Sequence, residues 1–136
     1  MKDRKIVLST LWIFVSVNYI FCDVMTLMNS EELQQILTGK VGSLEMTPMF
    51  LFYASIFMEI PFAMILLSRF LNYKANRISS IIGGTIMTVI QVLSLFVGSG
   101  VAPHYIFFSV VEISCTAFIV WYAWNWVNPE AGKELT

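Results

Sequence analysis

The stretch ISSIIGGTIMTVIQVLSLFVG, residues 78–98, runs for 21 positions without a charged side chain. A helix of that length is about as long as the hydrocarbon core of a bilayer is thick. The chain has three more long apolar stretches, at residues 6–28, 48–68 and 104–127. Because lipid cannot hydrogen-bond a bare backbone, we predict an all-α fold in which residues 1–136 form a single bundle of four transmembrane helices.

Composition narrows the classes of function. Apolar residues make up 57% of the 136-residue chain, charged residues make up 12%, and the net charge is -1. The sequence has no basic tract, glycine-rich phosphate loop or zinc-type spacing, so we expect no nucleic acid partner, metal or cofactor. Cys22 and Cys115 form no Cys-x-x-Cys pair and fall within predicted helices, which favours a packing role over disulfide exchange.

Basic residues are distributed unevenly around the spans, which predicts the orientation of the chain. They precede the first span and fill the second connection, at Lys2, Arg4, Lys5, Arg69, Lys74 and Arg77. The first connection has a single Lys40, and the third has no Lys or Arg. By the positive-inside rule we expect both termini in the cytoplasm and the protein in the plasma (inner) membrane, with the lipid bilayer as a partner. The first span is too long for a signal peptide.

The first connection is long enough to contain a helix of its own. Residues 30–39, SEELQQILTG, predict a short amphipathic helix with Ser30 as its N-cap and Gly39 at its end. Glu31 and Glu32 suit the positive end of such a helix. It would rest on the bundle or the lipid headgroups, or form a lid over an outward-facing cavity.

Five strongly polar residues fall within the predicted spans. They are the carboxyl residues Asp23, Glu59 and Glu112 and the amide residues Asn18 and Gln91, called the polar set below. An ionisable side chain at membrane depth is costly and usually faces the bundle interior or a cavity. The polar set lies at similar depth on four helices, so we predict that its members converge and bind a ligand.

Helical periodicity supports that convergence. Small and polar residues share one face of each span: Ser16, Tyr19, Asp23 and Thr26 on the first, with Asn18 and Cys22 at its edge; Ser55, Glu59 and Ala63 on the second; Ser80, Gly84, Met87, Thr88, Gln91, Ser94 and Gly98 on the third; and Tyr105, Ser109, Glu112 and Thr116 on the fourth. Such faces let helices approach closely and hydrogen-bond to each other.

Pro61 lies two positions after Glu59 and should bend the second span, because proline removes a helical hydrogen bond. The bend would open a cavity beside the carboxyl group, or would be purely structural. His104 begins the fourth span and is expected to lie at the membrane interface without binding a metal.

The two central carboxyl groups, on Glu59 and Glu112, allow two interpretations. No Lys or Arg falls within the middle of a span to neutralise them. They would either be protonated and hydrogen-bond between helices, or take up and release a proton or a cationic ligand.

Four short segments of the chain carry a family resemblance. They are LWIF at 11–14 with Asn18-Tyr19, Asp23 with Leu27-Met28, MEIPFAM at 58–64 with Ser68-Arg69, and YKANR at 73–77. In these segments the chain resembles a family of small bacterial four-span membrane proteins of unknown function, broadly similar to DoxX-like proteins. The resemblance implies four helices and no particular activity. Small four-span multidrug exporters also use a membrane-embedded Glu, but on the first helix, where this chain has Asp23.

Three functions fit these patterns. The first is binding or transport of a small ligand or proton by the polar set, within a homodimer whose contacts would include Gly83 and Gly84. The second is a membrane enzyme of the isomerase type that acts on a lipid-like substrate, with a carboxyl group as general acid. The third is a non-catalytic assembly or accessory subunit, in which the polar residues only hold helices together.

Overall fold

The computed structural model describes residues 3–41, 44–97 and 102–127, and this part of the chain is almost entirely helical. A two-stranded antiparallel hairpin pairs Lys40 with Glu45 and Val41 with Leu44. The elements are α1 (Arg4–Met28), α2 (Ser30–Leu37), β1 (Lys40–Val41), β2 (Leu44–Glu45), α3 (Pro48–Phe70), α4 (Tyr73–Val97) and α5 (Pro103–Trp124).

Four of the helices, α1, α3, α4 and α5, are long and apolar enough to cross a membrane. The all-α fold and the four spans predicted from sequence are therefore confirmed. The largest difference in bounds is at the start of α4, which begins at Tyr73 although residues 78–98 were predicted. The helix extends beyond the apolar stretch because the side-chain oxygen of Asn72 accepts the backbone N–H of Ala75 at 2.9 Å and starts it earlier.

The other end of the last span also differs from the prediction. Helix α5 ends at Trp124, with Asn125 as its C-cap, although the span was predicted to reach residue 127. The sequence favours a stop of this span at Asn128 and Pro129 and a break between spans at residues 98–103. Residues 98–101 and 128–136 lie outside the described residues.

Short polar side chains cap the helices. Thr47 precedes Pro48 at the start of the second span, a pair that favours an N-cap and a first helical residue. Its hydroxyl does cap α3, because it accepts the backbone N–H of Phe50 at 3.1 Å. The predicted cap of α2 is wrong by one residue: Asn29, not Ser30, accepts the N–H of Glu31, and Ser30 is the first helical residue. Gly39 follows α2 with φ +82°, a conformation that favours glycine at a helix end.

The four long helices form a ring in which each packs against two neighbours. Helix α1 packs against α3 and α5, and α4 also packs against α3 and α5, so α3 and α5 lie diagonally opposite each other. The core between them contains the fully buried side chains of Leu8, Trp12, Val15 and Ile119.

Two adjacent glycines on α4 bring that helix close to its neighbours. A β-carbon on Gly84 would lie 2.7 Å from Val120 Cγ2 of α5, and one on Gly83 would face Ile60 and Trp12 at 3.5 Å. Both glycines are therefore used for packing within one chain. The expectation that Gly83 and Gly84 form contacts between two copies is corrected by this placement.

Arginine side chains hold the C-terminal end of α5 at one end of the bundle, called the arginine end below. Arg4 Nη1 donates to the carbonyl oxygen of Tyr122 at 2.9 Å. Arg77 donates to the carbonyl oxygens of Ala123 at 3.1 Å and Trp124 at 2.9 Å. These donors satisfy carbonyl groups that have no partner within the helix and place positive charge at its negative end.

Candidate functional site

The polar stripes predicted on α4 and α5 face the interior, as the helical periodicity indicated. Ser80, Met87 and Gln91 are buried on α4, and Glu112 and Thr116 are buried on α5. The two stripes meet directly, which explains why these two helices are closely packed.

Three hydrogen bonds join α4 to α5 along this contact. Gln91 Nε2 donates to Ser109 Oγ at 2.8 Å. Thr88 Oγ1 donates to Thr116 Oγ1 at 2.7 Å. The hydroxyl groups of Ser94 and Tyr105 lie 2.6 Å apart. Because Ser109 and Thr116 lie about one turn on either side of Glu112, these bonds fix the helix that carries the carboxyl group.

Glu112 is the carboxyl group that the fold buries most completely. Its side chain is 1% exposed near the middle of α5, and its Oε1 atom has no hydrogen-bond partner among the described residues. Helix α5 packs against α1, whose buried side includes Tyr19 and Cys22. Hydroxyl groups such as those of Ser68 and Ser80 are also buried without a partner in the described part of the chain. Glu112 differs from them because burying a carboxyl group is more costly when it is ionised.

The facing side of α1 presents further polar groups to this region. The hydroxyl groups of Ser16 and Tyr19 are buried and also have no hydrogen-bond partner within residues 3–41, 44–97 and 102–127. Ser16 and Tyr19 are three residues apart, so they lie on one face of α1. We call Ser16, Tyr19 and Glu112 the Glu112 site. Two hydroxyl groups and a carboxyl group can together donate to or accept from a small polar ligand or a hydronium-like species.

Asp23 lies on α1 toward the end of the bundle that carries α2, and its side chain is exposed. It lines an open pocket of about 310 Å³ between α1, α2 and the hairpin, together with Thr26, Leu27, Glu32, Ile36, Val41 and Met46. The pocket is mainly apolar with two carboxyl groups, a composition that suits an apolar cation.

Glu59 does not join this region. Its side chain is exposed on α3, whereas Pro61, Met64 and Ser68 form the buried side of that helix. Because α3 and α5 are diagonal in the ring, Glu59 and Glu112 do not meet, and the predicted convergence of the two is corrected on this point. Pro61 is buried, about 200° around the helix from Glu59, so a bend there opens no cavity beside the carboxyl group.

The two amides of the polar set have different surroundings. Gln91 is buried and bonded to Ser109, one turn from Glu112. Asn18 is half-buried and its Nδ2 donates to the carbonyl oxygen of Phe14 in its own helix at 2.8 Å. The structure thus places Gln91 and Glu112 on the buried sides of two helices that pack together, and it leaves Asp23, Asn18 and Glu59 outside that contact.

Some buried polar residues were not singled out from the sequence. Asn76 is fully buried and its Nδ2 donates to the carbonyl oxygen of Ser68 at 2.6 Å, which ties the end of α3 to the start of α4. The indole nitrogen of Trp12 is buried without a partner in the described part of the chain. Trp12 shares a face with Ser16 and Tyr19 at helical spacing, and this periodicity is the signal that could have identified it.

Metal-binding groups are not assembled in the described ranges. No three His, Cys, Asp or Glu side chains lie close enough there to hold a metal ion. His104, at the start of α5, has its Nε2 atom 3.5 Å from the hydroxyl oxygen of Thr26.

Four helices that are long and apolar enough to cross a membrane define a small multi-pass membrane protein. The chain belongs to a family of unknown function (DUF6326), whose model matches residues 1–132. No curated protein and no solved structure matches the chain. The predicted membership in a small membrane protein family of unknown function is therefore confirmed, and the broader similarity to DoxX-like proteins stays a prediction.

Proposed function

We propose that this protein binds a proton or a small cationic ligand inside the membrane at the Glu112 site. The observation that carries the proposal is the buried carboxyl group of Glu112, whose Oε1 atom has no hydrogen-bond partner among the described residues. The neighbouring helix α1 has two buried hydroxyl groups, of Ser16 and Tyr19, that also have no partner there. Buried polar groups are normally hydrogen-bonded, and exceptions often mark a binding role.

The charge distribution of the sequence supports this proposal. All eight Lys and Arg residues lie before, between or after the central parts of the spans, at positions 2, 4, 5, 40, 69, 74, 77 and 133. An ionised carboxyl group in the bundle interior therefore has no basic residue of its own chain to pair with at that depth. Burying such a charge alone is very unfavourable, so Glu112 is stable with a bound proton or with the positive charge of a ligand.

The pocket beside Asp23 supports a route from the α2 end of the bundle to Glu112. Asp23 and Glu32 supply negative charge in an otherwise apolar pocket. Glu112 lies on α5, which packs against the helix that carries Asp23. An apolar cation would be attracted first by the pocket and then by Glu112. Its arrival displaces the proton of Glu112, so that the net charge buried in the site stays constant. Coupled binding of this kind is the first step of proton-coupled transport.

Proton release tests this proposal directly. Tetraphenylphosphonium is added to purified protein in weakly buffered detergent solution containing a pH-sensitive dye. We expect the wild-type protein to release a proton on binding and Glu112→Gln to release none. Glu31→Gln, which removes an exposed carboxyl group on α2, is the matched control and should behave as the wild type. Equal release from Glu112→Gln and the wild type, or none from either, would contradict the proposal.

A structural role is favoured for Gln91, in line with the accessory-subunit alternative. Its amide is already bonded to Ser109 across the contact of α4 with α5. We propose that Gln91 fixes the position of α5 and does not touch the ligand. Gln91→Leu should then lower the stability of the bundle while the proton release of the folded protein persists.

We also propose that both termini are cytoplasmic and that the protein lies in the plasma membrane. The support is the basic arginine end, where Arg4, Arg69, Lys74 and Arg77 all lie at the ends of spans. Single cysteines introduced at Lys74 and at Glu45, in a chain without Cys22 and Cys115, would be labelled from opposite sides of the membrane by an impermeant maleimide. If Glu45→Cys were labelled only from the cytoplasmic side, the chain would have the opposite orientation and the proposal would be wrong.

A further inference from the structure

Glu59 occupies an exceptional position on the surface of α3. It is eleven residues from each end of the helix Pro48–Phe70, or about 16 Å, and therefore lies at its midpoint. The side chain is exposed on the outside of the four-helix ring. In a lipid bilayer this places a carboxyl group against hydrocarbon at the greatest possible depth, where ionisable groups are almost never left in contact with lipid.

The residues one turn before and after Glu59 have a composition that suits helix contact, and the large side chains of Phe52 and Leu66 lie two turns away on the same face. At 100° per residue, Ser55 and Ala63 lie one turn before and after Glu59, within about 40° of it, and all three are exposed. The buried residues Pro61, Met64 and Ser68 lie about 140° to 200° away, so this face is directly opposite the core. Small residues flanking a polar one are the usual composition of a contact between membrane helices.

We propose that the α3 face formed by Ser55, Glu59 and Ala63 is the interface with a second copy of this chain. Two copies inserted in the same orientation are related by a two-fold axis along the membrane normal, so each residue meets its own counterpart at the same depth. At the midpoint of α3 the carboxyl group of Glu59 then faces the carboxyl group of the other copy.

The chemistry of the face is self-complementary, which is the reason for choosing a second copy over an unrelated partner. Protonated carboxyl groups donate and accept hydrogen bonds to each other, and each can also bond the hydroxyl group of Ser55 on the facing helix. A different partner would have to supply its own polar group at this depth. The small side chains of Ser55 and Ala63 leave room beside Glu59 for these bonds.

This interface is separate from the Glu112 site. Glu59 is on α3 and faces outward, whereas Glu112 is on α5, diagonally across the ring, and faces inward. Loss of the dimer would therefore leave the buried carboxyl group in place, and the two proposals can fail independently.

Association between copies is measured by energy transfer between donor-labelled and acceptor-labelled protein in liposomes, over a series of lipid-to-protein ratios. The wild type should show saturable transfer above the level for random encounters. Glu59→Gln keeps the hydrogen bonds and should retain association, whereas Glu59→Leu should raise the dimer dissociation constant by about tenfold or more. Glu59→Leu makes the face fully apolar, and circular dichroism would check that it still folds.

Position-specific cross-linking identifies the face. In a chain without Cys22 and Cys115, Ser55→Cys should form a disulfide between copies under mild oxidation. Val89→Cys is the matched control, since Val89 is 51% exposed on α4 at a similar distance from the helix end. The proposal is overturned if the wild type shows only random transfer at every ratio, if Glu59→Leu associates as well as the wild type, or if Val89→Cys cross-links and Ser55→Cys does not.

Discussion

The adjacent glycines Gly83 and Gly84 provide a sharp test of the packing of α4. Adding a methyl group at Gly84 places it 2.7 Å from Val120 Cγ2 and 3.3 Å from the carbonyl oxygen of Thr116. Both distances are shorter than ordinary contacts, the Val120 side chain is stiff, and the carbonyl is part of a helix backbone. Helix α5 must shift, so we expect Gly84→Ala to lower the free energy of unfolding by about 1–3 kcal/mol.

The neighbouring glycine is the control for this substitution. A methyl group at Gly83 would meet Ile60 and Trp12 at 3.5 Å and Met64 at 3.6 Å, all ordinary contact distances. Alanine also has a higher helix propensity than glycine, so Gly83→Ala should fall within about 1 kcal/mol of the wild type.

Reversible unfolding of the two variants in mixed detergent and SDS micelles, followed by circular dichroism, measures the difference. Both substitutions add the same atoms to the same helix, so a general effect of replacing glycine cancels. Equal stability of the two variants, or a larger loss for Gly83→Ala, would show that α4 and α5 are not packed as described.

Three more substitutions test particular hydrogen bonds. Thr116→Val removes the hydroxyl group that lies 2.7 Å from the Thr88 hydroxyl and should cost about 0.6 kcal/mol in the same unfolding assay. The loss is small because the one proton of the Thr88 hydroxyl can be donated to the carbonyl oxygen of Gly84 instead, also at 2.7 Å. A loss of several kcal/mol would point to a different role for Thr116. Asn76→Leu leaves the buried carbonyl of Ser68 without its 2.6 Å hydrogen bond and should lower the free energy of unfolding by about 1–3 kcal/mol. The control is Lys74→Leu at an exposed position, which should change this free energy by less than about 0.5 kcal/mol. Similar losses for the two would refute the role of Asn76. Arg77→Gln removes the guanidinium donors to the carbonyl oxygens of Ala123 and Trp124. Amide hydrogen exchange in the last turn of α5 should then be faster. The control is Arg69→Gln, at an exposed position on α3. Unchanged exchange in Arg77→Gln would mean that its bonds do not hold that turn.

The sequence predicted the faces of α4 and α5 correctly because small and polar residues recur there with helical periodicity. The same pattern on α3, at Ser55, Glu59 and Ala63, led to the wrong face. In a membrane helix both the lipid-facing side and the core-facing side are apolar, so hydropathy does not separate them. What orients α3 is shape: Ile60 and Met64 pack against Gly83 of α4, a contact between distant segments that local periodicity does not contain.

Local chemistry explains the smaller differences. Residues 73–77 are polar and were assigned to a connection, yet helices continue past the hydrocarbon region wherever a cap and tertiary contacts support them. Here Asn72 provides the cap, Asn76 bonds to Ser68, and Arg77 bonds to the end of α5. The burial of Glu112 could be predicted from its place on the stripe with Ser109 and Thr116. That its Oε1 atom has no partner among the described residues could not be predicted, because this depends on how α1 faces α5.

Infrared difference spectroscopy of the protein in lipid nanodiscs, with and without tetraphenylphosphonium, tests the central claim most directly. A protonated carboxyl group has its own carbonyl stretching band, and Glu112→Gln identifies the contribution of Glu112 to it. If the Glu112 site exchanges a proton for a cation, the wild-type band weakens when the cation is added, and this change is absent in Glu112→Gln. Identical difference spectra for the two proteins would contradict the claim that Glu112 binds the cation.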